Sequence, residues 1–212
     1  MEILSVNLKN PERQVIQEAW RVLRLGGTVV LPTDTVYSLA ANAFLESAVR
    51  HVFNIKKRPS SRALPLMVRD LDMALRVVYA NDKISRIMET VWPGQVSLVL
   101  EKRIVVPSAV TGGGNTVALR IPDCFLCWAL MSELDFPVVL TSANLSGEEP
   151  FVSGQAAYNF FIHDYPRPDL ILDVGRLEAS KPSTVLDLTT SKPKILRVGP
   201  VTPEELLKLT EI

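Results

Sequence analysis

Gly27-Thr28-Val29-Val30-Leu31-Pro32-Thr33-Asp34-Thr35-Val36-Tyr37-Ser38-Leu39 decides how the chain is read. Thr28, Val29 and Val30 form a β-branched apolar run launched from the Gly26-Gly27 break, which is the pattern of a buried strand. Pro32 ends that strand, and Thr33, Asp34, Thr35 and Tyr37 then crowd hydroxyls and a carboxylate onto its exit. In open α/β sheets, ligands sit beyond the carboxyl ends of strands, where short polar side chains and free N–H groups converge. The same residues suit a turn in which Asp34 and the threonines cap the next helix. Local chemistry leaves both readings open.

Outward from that stretch, helical and strand rhythms alternate. Upstream, Asn10 followed by Pro11 predicts an N-cap with proline at the first helical position, and Val15, Ile16, Ala19, Trp20 and Leu23 recur at helical spacing. Downstream, a helix through Ala48 to Ile55 runs into the basic loop Lys56-Lys57-Arg58-Pro59-Ser60-Ser61-Arg62. Leu64 to Val68 reads as a short strand, and Asp70 and Asn81 predict caps for helices reaching Val77 and Val91. Further strands are expected over Val96 to Leu100, Thr116 to Ile121, Pro137 to Leu140, Leu170 to Asp173, Thr184 to Leu188 and Ile195 to Val198. Helices are expected after Pro122-Asp123, around Ala156 to Phe161, and from Pro203. With no repeat, low-complexity tract or linker, the expectation for residues 1–212 is a single α/β domain with a twisted, mixed parallel and antiparallel sheet flanked by helices.

Bulk properties narrow the function classes. The 212 residues carry 23 basic and 23 acidic side chains, so a polyanion site must be a local cluster rather than a global field. No apolar run approaches the roughly 18 residues of a membrane span, and the first residues lack a signal-peptide pattern. Cys124 and Cys127 make no disulfide framework, and a soluble, cytoplasmic protein without membrane contact is expected. The Cys124-x-x-Cys127 pair has no neighbouring His or second Cys pair, and its spacing on an apolar helix favours buried core thiols over a metal site.

Three strand ends share one character, an apolar run followed by small hydroxyl and amide residues: Thr33 to Tyr37, Thr141 to Ser146, and Pro182-Ser183-Thr184. Gathered around one crevice, they would offer neutral donors and acceptors to an amino acid or a nucleotide. Taken singly, each also suits turn and cap chemistry. The basic loop reads either as solvated surface or as guanidinium forks aimed at phosphate or carboxylate. Arg120 lies inside the apolar run Val117 to Ile121, where an unpaired charge would cost several kcal/mol, so an anionic ligand or a fixed acid must meet it. Arg197, within Ile195-Leu196-Arg197-Val198, poses the same question.

Seven motifs now stand in order: Pro32-Thr33-Asp34-Thr35-Val36-Tyr37; Lys56-x-Arg58-Pro59; Trp92-Pro93-Gly94; Thr116-Val117-Ala118-Leu119-Arg120-Ile121-Pro122; Ser142-Ala143-Asn144-x-Ser146-Gly147; Pro182-Ser183-Thr184-Val185-x-Asp187; and Arg197-x-Gly199. Together, over about residues 23–200, they resemble the YrdC-like family of threonylcarbamoyl-AMP synthases in its single-domain form, without the C-terminal domain of longer relatives. The resemblance implies a YrdC-like fold with a positively charged concave face. It also implies an adenylate-forming nucleotidyltransferase that converts L-threonine, bicarbonate or carbon dioxide, and ATP with Mg2+ into threonylcarbamoyl-AMP and pyrophosphate, for tRNA threonylcarbamoyladenosine modification by partner proteins.

Carried over position by position, the resemblance assigns Thr35, Arg120, Ser142 and Ser183 to threonine, with Arg120 on its carboxylate. It assigns Lys56, Arg58, Arg62, Thr116, Asn144, Ser153 and Arg197 to ATP, with Lys56 and Arg58 catalytic and no protein metal ligand. Ser38 stands where the family usually has Gly, Met67 where many members place a threonine-contacting His, Gln95 at a common Pro, and Thr141 where Pro or Ser is usual. Two other readings compete: a non-catalytic RNA-binding module using the basic loop, and a same-fold enzyme acting on another carbamoyl acceptor or nucleotide product.

Overall fold

The computed structural model describes residues 1–178 and 180–210. Its elements, in chain order, are β1 (Glu2–Ser5), α1 (Arg13–Arg24), β2 (Thr28–Leu31), β3 (Ser38–Asn42), α2 (Glu46–Lys56), β4 (Leu66–Met67), α3 (Leu71–Val77), α4 (Asp82–Val91), β5 (Val96–Glu101), α5 (Ser108–Thr111), β6 (Thr116–Arg120), α6 (Phe125–Ser132), β7 (Val138–Ser142), α7 (Gly154–Phe161), β8 (Leu170–Asp173), β9 (Thr184–Asp187), β10 (Lys194–Arg197) and α8 (Pro203–Thr210). All ten strands join one sheet in the order β1-β8-β2-β3-β7-β4-β6-β5-β9-β10. The sheet is mixed: β1–β8, β2–β8, β4–β6 and β5–β9 pair in parallel, the remaining neighbours antiparallel. This is the α/β architecture expected from the alternating rhythms. No helix among the described residues is long and apolar enough to cross a membrane.

Two helix caps form as the sequence predicts. The Asp70 carboxylate accepts from Met73 N at 2.7 Å to start α3, and Asn81 Oδ1 accepts from Ile84 N at 2.9 Å to start α4. The cap expected at Asn10 does not form. Asn7 Oδ1 instead accepts from Lys9 N and Asn10 N, which holds residues 8–10 in a bend, and α1 begins only at Arg13 behind Glu12.

The opening stretch is a hairpin rather than a strand-to-helix junction. β2 and β3 pair antiparallel, with Leu31 opposite Ser38, so Thr33 to Tyr37 is the turn between them and no helix follows until Glu46. β3 then pairs with β7 on its other side, placing Ser38 opposite Ser142. All residues of β2 and β3 are buried, and α1 and α2 pack against both strands. This packing fixes the polar turn at the tip of two central strands.

Candidate active site

The turn is self-bonded before it meets anything else. Thr33 Oγ1 accepts from Thr35 N at 3.1 Å and Val36 N at 3.2 Å, and donates to Val36 O at 2.9 Å. Arg120, the last residue of β6, reaches into it. Its Nη2 donates to Thr35 Oγ1 at 3.1 Å and Thr33 Oγ1 at 3.3 Å, and its Nη1 donates to Asp34 Oδ1 at 2.9 Å. Asp34 Oδ2 also accepts from Asp123 N at 3.1 Å, and Gln95 Nε2 donates to the Asp34 carbonyl at 2.6 Å. Burial is the largest influence on the Asp34 carboxyl and raises its pKa, against the opposing pull of the Arg120 charge.

A fixed acid therefore meets the buried Arg120 charge, where the resemblance gave that part to a ligand carboxylate. Asp34 uses one N–H of the guanidinium and the threonines use Nη2. Among the described residues no acceptor sits on Nε. Arg120 thus has donors left to present to a small anion.

Arg120 also lines a hollow of about 260 Å³. Thr35, Arg58, Arg120, Ser142, Ser183 and Arg197 line it, contributed by the turn, the loop after α2, strands β6, β7 and β10, and the segment that leads into β9. None of its described lining residues is a carboxylate. Ser183 Oγ lies 2.8 Å from Ser97 Oγ, and the Ser183 carbonyl accepts from Arg197 Nε at 2.9 Å and Nη2 at 2.7 Å. Burial first, and the like charge of Arg120 second, lower the Arg197 pKa, consistent with both guanidiniums facing one space.

Arg197 is nonetheless an exposed residue, not the buried charge that its apolar neighbours suggested. β10 is the edge strand and pairs only with β9, so one side of it stays solvated. Arg58 Nε and Nη2 donate to the Arg62 and Ala63 carbonyls at 3.3 and 3.0 Å, which folds the basic loop back on itself. Burial, then the Arg62 charge, lowers the Arg58 pKa.

Five assigned residues do not line the hollow. Lys56, 2% exposed at the end of α2, donates through Nζ to the Ser142 carbonyl and, at 2.9 Å each, to the carbonyl and Oδ1 of Asn144. An ammonium has three donors, so all three are engaged, and Lys56 and Asn144 brace the exit of β7 behind Ser142. Burial, then Arg58, draws the Lys56 pKa down to about 7, while the three oxygens favour the charged form. Arg62 is exposed at the loop. Thr116 sits on β6 two residues before Ala118, which does line the hollow, so it extends the same face outward. Ser153 is the N-cap of α7, with Oγ accepting from Ala156 N at 3.2 Å; it stands at a helix start and not at the hollow.

Among the departures noted in the sequence, Ser38 and Thr141 are part of the wall, and Met67 is not. Met67 is fully buried and faces a different cavity, while its neighbour Leu66 faces the hollow. Ser97 was missed. The signal lay in a hydroxyl inside Val96-Ser97-Leu98, a run buried on both faces.

With this geometry in place, comparison with known proteins is direct. The family model Sua5_yciO_yrdC, described as "Telomere recombination", matches residues 21–199. A curated relative, Threonylcarbamoyl-AMP synthase of Pyrococcus abyssi, is 34% identical over 201 residues, covering 91% of this chain and 58% of its own length. The chain therefore spans little more than half of that relative. The crystal structure of P. abyssi Sua5 complexed with L-threonine superposes with a TM-score of 0.91 at 33% identity, over 98% of this chain and 60% of the other. Escherichia coli YciO superposes with a TM-score of 0.87 at 26% identity, over 97% and 98% of the two chains. By motif order, fold and family match together, this chain belongs to the Sua5/YciO/YrdC family.

Proposed function

We propose that this protein is an L-threonylcarbamoyladenylate synthase, forming threonylcarbamoyl-AMP and pyrophosphate from L-threonine, bicarbonate or carbon dioxide, and magnesium-bound ATP. The observation that carries this reading is the convergence of Thr35, Arg58, Arg120, Ser142, Ser183 and Arg197 on one small hollow. The likeness to a synthase and to a Sua5 structure holding L-threonine supports it.

In this reading the threonine carboxylate takes the free donors of Arg120, and the hydroxyls of Thr35, Ser142 and Ser183 orient the amine and side chain. The amine captures carbon dioxide as a carbamate, and a carbamate oxygen attacks the α-phosphorus of ATP as pyrophosphate departs. Such a transfer asks the protein for positioning and charge stabilisation more than for a general base. Arg58 and Arg197 supply the charge from two sides, with Arg62 and Thr116 on the approach. Lys56 and Asn144 are positioning residues behind Ser142, and Ser153 has no part in the reading. With no carboxylate in the described lining, the magnesium ion belongs to the nucleotide as part of the substrate. In this reading the product would pass to partner proteins that modify tRNA, with the protein working in the cytoplasm.

Pyrophosphate release from ATP, with threonine and bicarbonate each omitted in turn, tests the proposal. Release that needs both supports it. Release without threonine points to another acceptor, and salt-sensitive tRNA binding without turnover points to an RNA-binding module.

A further inference from the structure

A second, larger cavity of about 680 Å³ lies beside α6, lined by Met67, Pro93, Phe125, Trp128 and Met131 together with both cysteines of the chain. Cys124 is the N-cap of α6 and Cys127 its third residue, so the two side chains lie over the same helical turn. Both thiols are free, and both point at one oxygen: the Pro32 carbonyl lies 3.9 Å from Cys124 Sγ and 3.5 Å from Cys127 Sγ. Helical residues at this spacing have Cβ atoms about 5–6 Å apart, beyond the roughly 3.5–4.5 Å of a disulfide, so closure draws the extended N-cap residue Cys124 inward toward Cys127. Cys124, 9% exposed, borders that space, and Cys127, 1% exposed, lies behind it in the wall.

We propose that Cys124 and Cys127 are a redox-active dithiol that closes to a disulfide when a hydroperoxide enters the cavity beside α6. The Cys124 sulfur attacks one peroxide oxygen; the O–O bond breaks, an S–O bond forms, and the released alkoxide or hydroxide takes the thiol proton. The Cys127 sulfur then displaces the sulfenic oxygen; the S–S bond forms, the S–O bond breaks, and water leaves with the second proton. Two thiols lose two electrons and one hydroperoxide is reduced.

The two positions are suited to different steps. Cys124 sits at the positive end of the helix, and the neighbouring Cys127 thiol, the largest influence on it, lowers its pKa, which favours the thiolate that attacks. The Cys124 thiol, with burial next, raises the Cys127 pKa, which suits the resolving thiol. Closure removes both S–H donors from the Pro32 carbonyl, immediately before the Thr33-Asp34-Thr35 turn that holds Arg120.

The test treats the folded full chain with hydrogen peroxide, counts thiols and measures intact mass. The proposal expects both thiols to vanish together with a mass loss of about 2 Da, reversed by dithiothreitol. It expects Cys127→Ser to yield a trappable sulfenic acid and Cys124→Ser to keep its remaining thiol. Unchanged thiols in the wild type, a mass gain of oxygen instead of the loss, or equal reactivity of the two variants would overturn it. If either variant fails to fold, the wild-type mass and thiol count decide alone. None of these readouts depends on synthase activity, so the outcome is separable from the proposed reaction.

Discussion

Asp34 and Arg120 meet at 2.9 Å with only 7% of each side chain exposed, and the same guanidinium also holds the Thr33 and Thr35 hydroxyls. Removing one member of such a pair leaves the other charge buried without a partner, at a cost of about 3–5 kcal/mol. Asp34→Ala is therefore expected to lower the unfolding free energy by that order in urea titrations. A change within experimental error would show that the pair does not hold the turn.

Arg120 and Arg58 are expected to separate the two substrates. Losing a hydrogen-bonded charge partner weakens binding by about 10- to 100-fold. Arg120→Ala should therefore raise the threonine requirement by that order while the ATP requirement changes little. Arg58→Ala should instead lower turnover by about 100-fold or more with a near-normal melting temperature, because its hydrogen bonds are confined to a surface loop. Steady-state pyrophosphate release across both substrate ranges measures the split, and equal effects on the two substrates would remove the carboxylate assignment.

Lys56 gives a pH prediction. Burial, followed by Arg58, lowers its pKa from 10.5 to about 7. Between those values the unfolded chain holds the proton that the folded chain releases, so this group's contribution favours folding more as pH rises through that window. Below about pH 7 both states are protonated and the full desolvation cost of the ammonium stands. The stability of wild type relative to Lys56→Met is thus expected to improve from pH 7 to pH 9.5 in denaturant titrations. A flat difference would mean that the three oxygens around Nζ keep it charged throughout.

Gly199 closes the last motif for a steric reason. A Cβ there would lie 2.3 Å from the Pro182 carbonyl oxygen and 2.5 Å from Thr184 N, both backbone atoms that cannot swing aside. Gly199→Ala should force the Ser183 segment away, destabilise the fold by about 1–3 kcal/mol, and weaken threonine binding through Ser183. Calorimetric titration with threonine, alongside a thermal melt, checks both effects.

Much of the fold was legible because helices and strands announced themselves by caps and period. The Asp70 and Asn81 caps, and the strands over Val96 and Val117, needed only local chemistry. β3 escaped because Ser38-Leu39-Ala40-Ala41-Asn42 is buried on both faces and so shows no alternation, and β1 because four residues at a sheet edge, two exposed and two half-buried, carry little pattern. The order of strands was not readable, since β3, joined to β2 by a hairpin, pairs on its other side with β7, far along the chain. In the site, the sequence pointed to residue types but not to occupancy. Nothing local said that Asp34 would answer Arg120, that Lys56 would face Asn144 and Ser142, or that edge position would expose Arg197.

The hollow's walls come from the turn at Thr35 through to the outermost strand at Arg197. A nascent polypeptide that has emerged only as far as β8 already contains Asp34, Arg58 and Arg120, yet one side of the pocket stands open to water. Under the proposed function, capture of an amino acid would then await docking of the β9–β10 ribbon, so synthesis of the chain itself would set the earliest moment at which the site is complete.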